Sequence, residues 1–132
     1  MLRIDPTASE PIVDQLVQGV KQAVASGEFR QGERLPSVRE LARELTINPN
    51  TVSRAYERLE SEGVILRRQG AGCFVAEQRT KTTSRERKRQ LAADMRRLVT
   101  DAFHRGSTPD ELSEALAREL KRLHYPEGND SR

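Results

Sequence analysis

Apolar residues recur at helical spacing in five stretches of the chain, and three short runs with strand character accompany them. Leu2-Arg3-Ile4 alternates as a short strand would and ends at Asp5-Pro6, so it is expected to pair with the edge of a sheet. Glu10-Pro11 opens the first helical stretch. In it Ile12, Val13, Leu16, Val17, Val20, Ala23 and Val24 keep the 3.6 period until Ser26-Gly27 closes it. Gly27, Gly32 and Pro36 then punctuate a loop whose Phe29 and Leu35 are placed to plug the core while the backbone turns.

Ser37 and Glu40 stand at the S-x-x-E spacing of a capping box, which predicts a helix starting at Ser37. Val38, Leu41, Ala42 and Leu45 form one apolar stripe on its two turns. The pattern breaks at Thr46-Ile47, and Asn48-Pro49 supplies a new start: an N-cap acceptor, then proline at the first helical position, where its missing N–H costs nothing. Val52, Ala55, Tyr56 and Leu59 point inward on this second helix, and Gly63 offers a left-handed stop. A link of about three residues favours the near-perpendicular crossing of a helix-turn-helix over a flat antiparallel pair. Val64-Ile65-Leu66, the turn Gln69-Gly70-Ala71-Gly72 and the returning Cys73-Phe74-Val75 then read as a β-hairpin, a wing with Arg67, Arg68 and Gln69 at its tip.

No apolar residue occurs from Glu77 to Gln90, a basic linker running into the solvated first turns of the next helix. From Leu91 the positions Leu91, Met95, Leu98, Val99, Ala102 and Phe103 resume the helical period, and Gly106 ends it. Thr108-Pro109-Asp110-Glu111 is a second capping box, and a last helix carries Leu112, Ala115, Leu116, Leu120 and Leu123 to a stop near Tyr125-Pro126. The expected fold is mostly α with a small β-hairpin: a winged helix-turn-helix head over 1–76, a basic linker and the start of a helix over 77–90, a helical hairpin over 91–125 and a disordered tail over 126–132. Two helices with apolar stripes bury too little to persist alone, so Leu91, Met95, Leu98, Val99, Ala102, Phe103, Leu112, Leu116, Leu120 and Leu123 are expected to form a dimer interface.

At 132 residues with 4% aromatics and no Trp, the chain has room for a small aliphatic core and little room for a large enzyme pocket. The net charge of +3 is modest for a nucleic-acid binder, so its distribution matters more than its sum. Lysines and arginines equal the acids within the head, and the excess lies in the linker. Arg39, Arg54, Arg67 and Arg68 are expected to face DNA, with Glu28, Glu60 and Glu62 on the far side. A single cysteine fits a reducing compartment, and no apolar run has the length of a membrane span, so a cytoplasmic protein is expected.

A helix-turn-helix inserts the N-terminal residues of its second helix into the major groove, here Asn50, Thr51, Ser53 and Arg54, with Asn48 and Arg58 flanking them. Asn can bond adenine bidentately, Arg can bond guanine, and hydroxyls reach bases or phosphates. Ser37 and Arg39 at the first helix's N-terminus suit phosphate, as do Arg67, Arg68, Gln69, Gly70 and Gly72 of the wing. The competing reading is an ordinary solvated face. Catalytic chemistry finds no support: His104 and His124 lie on separate helices without metal-ligand spacing, Cys73 has no base nearby, and the wing glycines precede no helix. No cofactor, metal or membrane partner is expected.

At GERLPSVRELA, NPNTVSRAYERLESEGVI and the G-x-G-x-F-V wing the chain resembles the winged head of the GntR family of bacterial transcription regulators. The likeness begins at LRIDPTASEPIVDQL and covers about the first 76 residues, and the short tail resembles the YtrA-like branch. Val13 departs from the tyrosine usual after Pro-Ile, and Cys73 from the usual threonine, neither at a base-reading position. The resemblance implies a homodimeric repressor that reads a pseudo-palindromic operator, with any small-molecule effector unidentified. A winged module that binds protein, and a head fused to an aminotransferase-like domain, are the rival readings; polar Asn50, Ser53 and Arg54 speak against the first and the length of the chain against the second.

Overall fold

Pro11 precedes helix α1 (Ile12–Ala25), whose Leu16, Val17, Val20 and Ala23 are buried. The computed structural model describes residues 2–77 and 82–123, in two compact units, Met1–Thr80 and Lys81–Arg132. In the first unit α3 (Pro49–Ser61) packs against both α2 (Val38–Leu45) and α1. Leu41 and Ala42 of α2 and Val52, Ala55, Tyr56 and Leu59 of α3 meet it in one aliphatic core, closed from above by Leu35, Ile65 and Val75. Phe29 packs at its margin. Ile65–Arg68 (β1) and Gly72–Val75 (β2) pair antiparallel, in the register Ile65 to Val75 and Arg67 to Cys73.

Leu2-Arg3-Ile4 does not form the expected strand. Leu2 is buried in the core, against α1 where a Cβ on Gly19 would come within 3.2 Å of its Cδ2. The Gln15 side chain clips the following turn, accepting the Asp5 N–H at 2.7 Å and donating to the Asp5 carbonyl at 2.9 Å. The outer edge of β2 is already taken. Leu35 N–H donates to the Cys73 carbonyl at 2.8 Å and Val75 N–H to the Glu33 carbonyl at 2.8 Å, with Arg34 opposite Phe74.

In the second unit α4 spans Ser84–His104 and α5 spans Pro109–Arg122. Thr83 accepts the Glu86 N–H at 3.1 Å and starts α4 at Ser84, within the stretch expected to run from linker into helix. Gly106, at φ +82°, turns the chain into the Thr108–Glu111 capping box. Ala102 is buried and Leu112 and Leu123 are half-buried, whereas Leu91, Met95, Leu98, Val99, Phe103, Leu116 and Leu120 are exposed. The expectations for His124, the stop at Tyr125-Pro126 and the 126–132 tail lie outside the described residues, as does the part of the linker over 78–81. No described helix is long and apolar enough to cross a membrane.

Candidate nucleic-acid interface

Both halves of the first capping box are formed: Ser37 N–H donates to Glu40 Oε1 at 2.8 Å and Glu40 N–H to Ser37 Oγ at 3.0 Å. These bonds from Ser37, backbone first, hold the Glu40 carboxyl below the usual carboxylate range. Thr46, at φ 57°, ends α2 in the left-handed conformation. Two residues later Asn48 Oδ1 accepts the Asn50 N–H at 2.8 Å and starts α3 with Pro49 at its first position. The turn is therefore set by caps on both sides.

The stripe Val52, Ala55, Tyr56, Leu59 is no more than 1% exposed, and this fixes the rotation of α3. Asn50 and Arg54, one turn apart, are left exposed, with Thr51 and Ser53 half-buried beside them. The Tyr56 hydroxyl donates to the Pro36 carbonyl at 2.6 Å, tying α3 to the residue before the α2 cap. Burial pushes its phenol pKa up. Ser37 is half-buried, and Arg39 and Asn48 are exposed. Arg39 and Arg54 make no ion pair among the described residues.

Arg58 is placed differently. Its Nη1 lies 2.6 Å from Asp14 on α1 and its Nε 3.8 Å from Glu62, and the hydrogen bond to Asp14 makes the guanidinium hold its proton more tightly. It continues the exposed row of Asn50 and Arg54, but its guanidinium is engaged as a tie to α1. At the wing, Gln69, Gly70 and Ala71 form the tip, closed by Ala71 N–H to the Arg68 carbonyl at 3.0 Å; Gly70 takes φ +77° with open space around it. Arg67 and Arg68 lie on the strand below the tip and alternate in direction. Arg67 Nη2 stands 4.0 Å from Glu60, so an arginine expected to face DNA and an acid expected on the far side share one side, and Arg68 stacks 5.0 Å over the Phe74 ring. Gly72, in β2 at φ +113°, lies under Arg34.

Arg34 is the residue that sequence reasoning did not single out. It reaches from the loop before α2 to the wing, with Nε 3.3 Å from the Ala71 carbonyl and Nη1 3.8 Å from Glu40. Its charge was visible in GERLPS, but the pairing of 33–35 with β2 is a long-range contact that no local pattern reports. Among the described residues no three His, Cys, Asp or Glu side chains gather as a metal site.

The family model of GntR bacterial regulatory proteins matches residues 12–75. The chain is 38% identical over 114 residues to the HTH-type transcriptional repressor YtrA of Bacillus subtilis (strain 168), which covers 86% of this chain and 88% of that protein. In structure it is similar to a transcriptional antiterminator from Listeria monocytogenes EGD-e, with a TM-score of 0.82 and 29% identity over 99% of this chain and 98% of that one. The DNA-binding domain of AraR, solved in complex with operator ORX1, matches 57% of this chain and 93% of its own length at 25% identity and a TM-score of 0.51. A capped helix pair, a glycine-tipped wing and a relative similar along most of its length together place the chain in the GntR family of transcription regulators, with a winged helix-turn-helix head and two C-terminal helices.

Proposed function

We propose that the chain is a sequence-specific repressor that binds a pseudo-palindromic DNA operator as a homodimer. The observation that carries this reading is the exposed N-terminal face of α3, where Asn50 and Arg54, the latter without an ion pair among the described residues, project beside Thr51 and Ser53 while the opposite face is sealed in the core. Ser37, Arg39 and Asn48 at the neighbouring helix ends, and Arg68, Gln69 and Gly70 of the wing, supply phosphate and groove contacts. The AraR complex with operator ORX1 and the repressor name of YtrA support the same reading. One similar structure is named as an antiterminator, which raises RNA as a target. A helix reads bases from a major groove about 12 Å wide, and the deep narrow groove of A-form RNA does not admit it.

For the dimer, the support is the second unit. α4 and α5 leave a groove of about 400 Å³ lined by Met95, Leu98, Val99, Leu112 and Leu116, and Phe103 of α4 stands 73% exposed. A second copy covers such a face without any further component. Two-fold symmetry then imposes two half-sites. The test is selection of bound sequences from random duplex DNA by the full chain, followed by titration of the winning site at several salt concentrations. A palindromic consensus, and an affinity whose logarithm falls with the logarithm of salt by about 0.9 for each phosphate contacted, are expected. No enriched sequence, a salt-independent affinity, or equal binding to duplex RNA of the same sequence refutes the proposal.

A further inference from the structure

We propose that Arg34 is the positioning residue of the wing, its side chain standing in for a missing backbone rung between the wing and the α2 cap. This deepens the DNA-binding reading and rests on it for its functional consequence. The backbone of 33–35 runs antiparallel along β2, with the rung formed by Leu35 N–H to the Cys73 carbonyl and Val75 N–H to the Glu33 carbonyl. Continued by one step, that ladder would take the Ser37 N–H to the Ala71 carbonyl. It cannot, because Ser37 N–H is committed to Glu40 Oε1 in the capping box that starts α2. The Arg34 side chain fills the place: Nε donates to the Ala71 carbonyl at 3.3 Å, and Nη1 lies 3.8 Å from the same Glu40 oxygen that takes the Ser37 N–H.

One guanidinium thus joins the last residue of the wing tip to the first turn of the helix-turn-helix. Gly72 fits the same account, since a Cβ there would come 3.1 Å from Arg34 Nε. The last backbone rung from 33–35 is at Cys73, so without this bond the tip beyond it is held by the β1–β2 pairing alone, and two strands without a third are marginal in water. The wing residues that meet DNA would then be ordered at the moment of binding rather than before it.

The experiment uses the full chain carrying Arg34→Met. Backbone 15N order parameters at Gly70, Ala71 and Gly72 without DNA are expected to fall from the rigid level of about 0.85 toward 0.6 or below, while those of α3 stay unchanged. Values that do not move overturn the proposal. On the selected operator, Arg34→Met and a wing variant, Arg68→Ala with Gln69→Ala, are each expected to weaken binding, and their combination to weaken it no more than the larger single loss. Multiplying losses would mean that Arg34 grips DNA by itself, which overturns the positioning role. A wild-type chain that binds no DNA would refute the DNA reading, and the order parameters would still decide whether Arg34 holds the wing.

Discussion

At the scale of single residues, the proposed base-reading and phosphate-anchoring roles can be told apart by substitution. Arg54 and Asn50 have exposed side chains on the face of α3 opposite the core, so Arg54→Ala or Asn50→Ala is expected to relax preference at one operator position by about 1 to 3 kcal/mol. Arg68→Ala is expected to weaken all sequences nearly alike and to lower the salt slope by about one. Binding of a panel of single-base operator variants to each protein checks both, and an unchanged specificity ratio in Arg54→Ala would show that another face of α3 enters the groove. Tyr56 makes a prediction about pH. Its phenol is raised above its ordinary value of 10.0, chiefly by burial, so above that pH the unfolded chain loses its proton before the folded one does. The unfolded state then binds fewer protons, and stability falls as pH rises. Urea midpoints of wild type and Tyr56→Phe are expected to show a steeper alkaline decline in wild type from about pH 10 upward. At neutral pH the variant is expected to lose about 0.5 to 1.5 kcal/mol with the hydrogen bond to Pro36.

Elements were legible where a local rule sets them. Both capping boxes are formed at the predicted spacing, and the stripe on α3 is buried at the four positions that the 3.6 period named. What the sequence concealed depends on contacts between segments far apart in the chain. Leu2-Arg3-Ile4 and 33–35 both suit an extended edge, and only the tertiary fit of Leu2 against Gly19 and of Arg34 over Gly72 decides which one pairs with β2. Arg58 is hidden for the same reason: it continues the Asn50 and Arg54 row at a spacing of four, yet α1 presents Asp14 to it. Its side chain is 45% exposed, so solvent screens the pair and it adds little to stability. Arg58→Met is accordingly expected to shift the urea midpoint slightly and to leave the operator consensus intact. A changed consensus would return Arg58 to the reading face.

At the scale of the whole molecule, association is the property with the largest leverage on affinity. A full chain carrying Leu98→Asp and Leu116→Asp places two carboxylates on the apolar groove of the second unit, and burying them unpaired is costly. It is expected to sediment as a monomer, to keep the wild-type thermal transition of the head, and to bind a full operator with a loss of about 10² or more as two-headed attachment disappears. A chain cut before Thr83, where α4 is capped, is expected to behave alike. A double variant that remains a dimer would move the interface elsewhere. The exposed groove also bears on dosage. Where two chains must meet before an operator is held firmly, occupancy at low copy number follows the square of chain concentration. A gene under such control would respond with a threshold, silent to small losses of regulator when dimers are abundant and released abruptly once copy number drops below the dissociation constant of the pair.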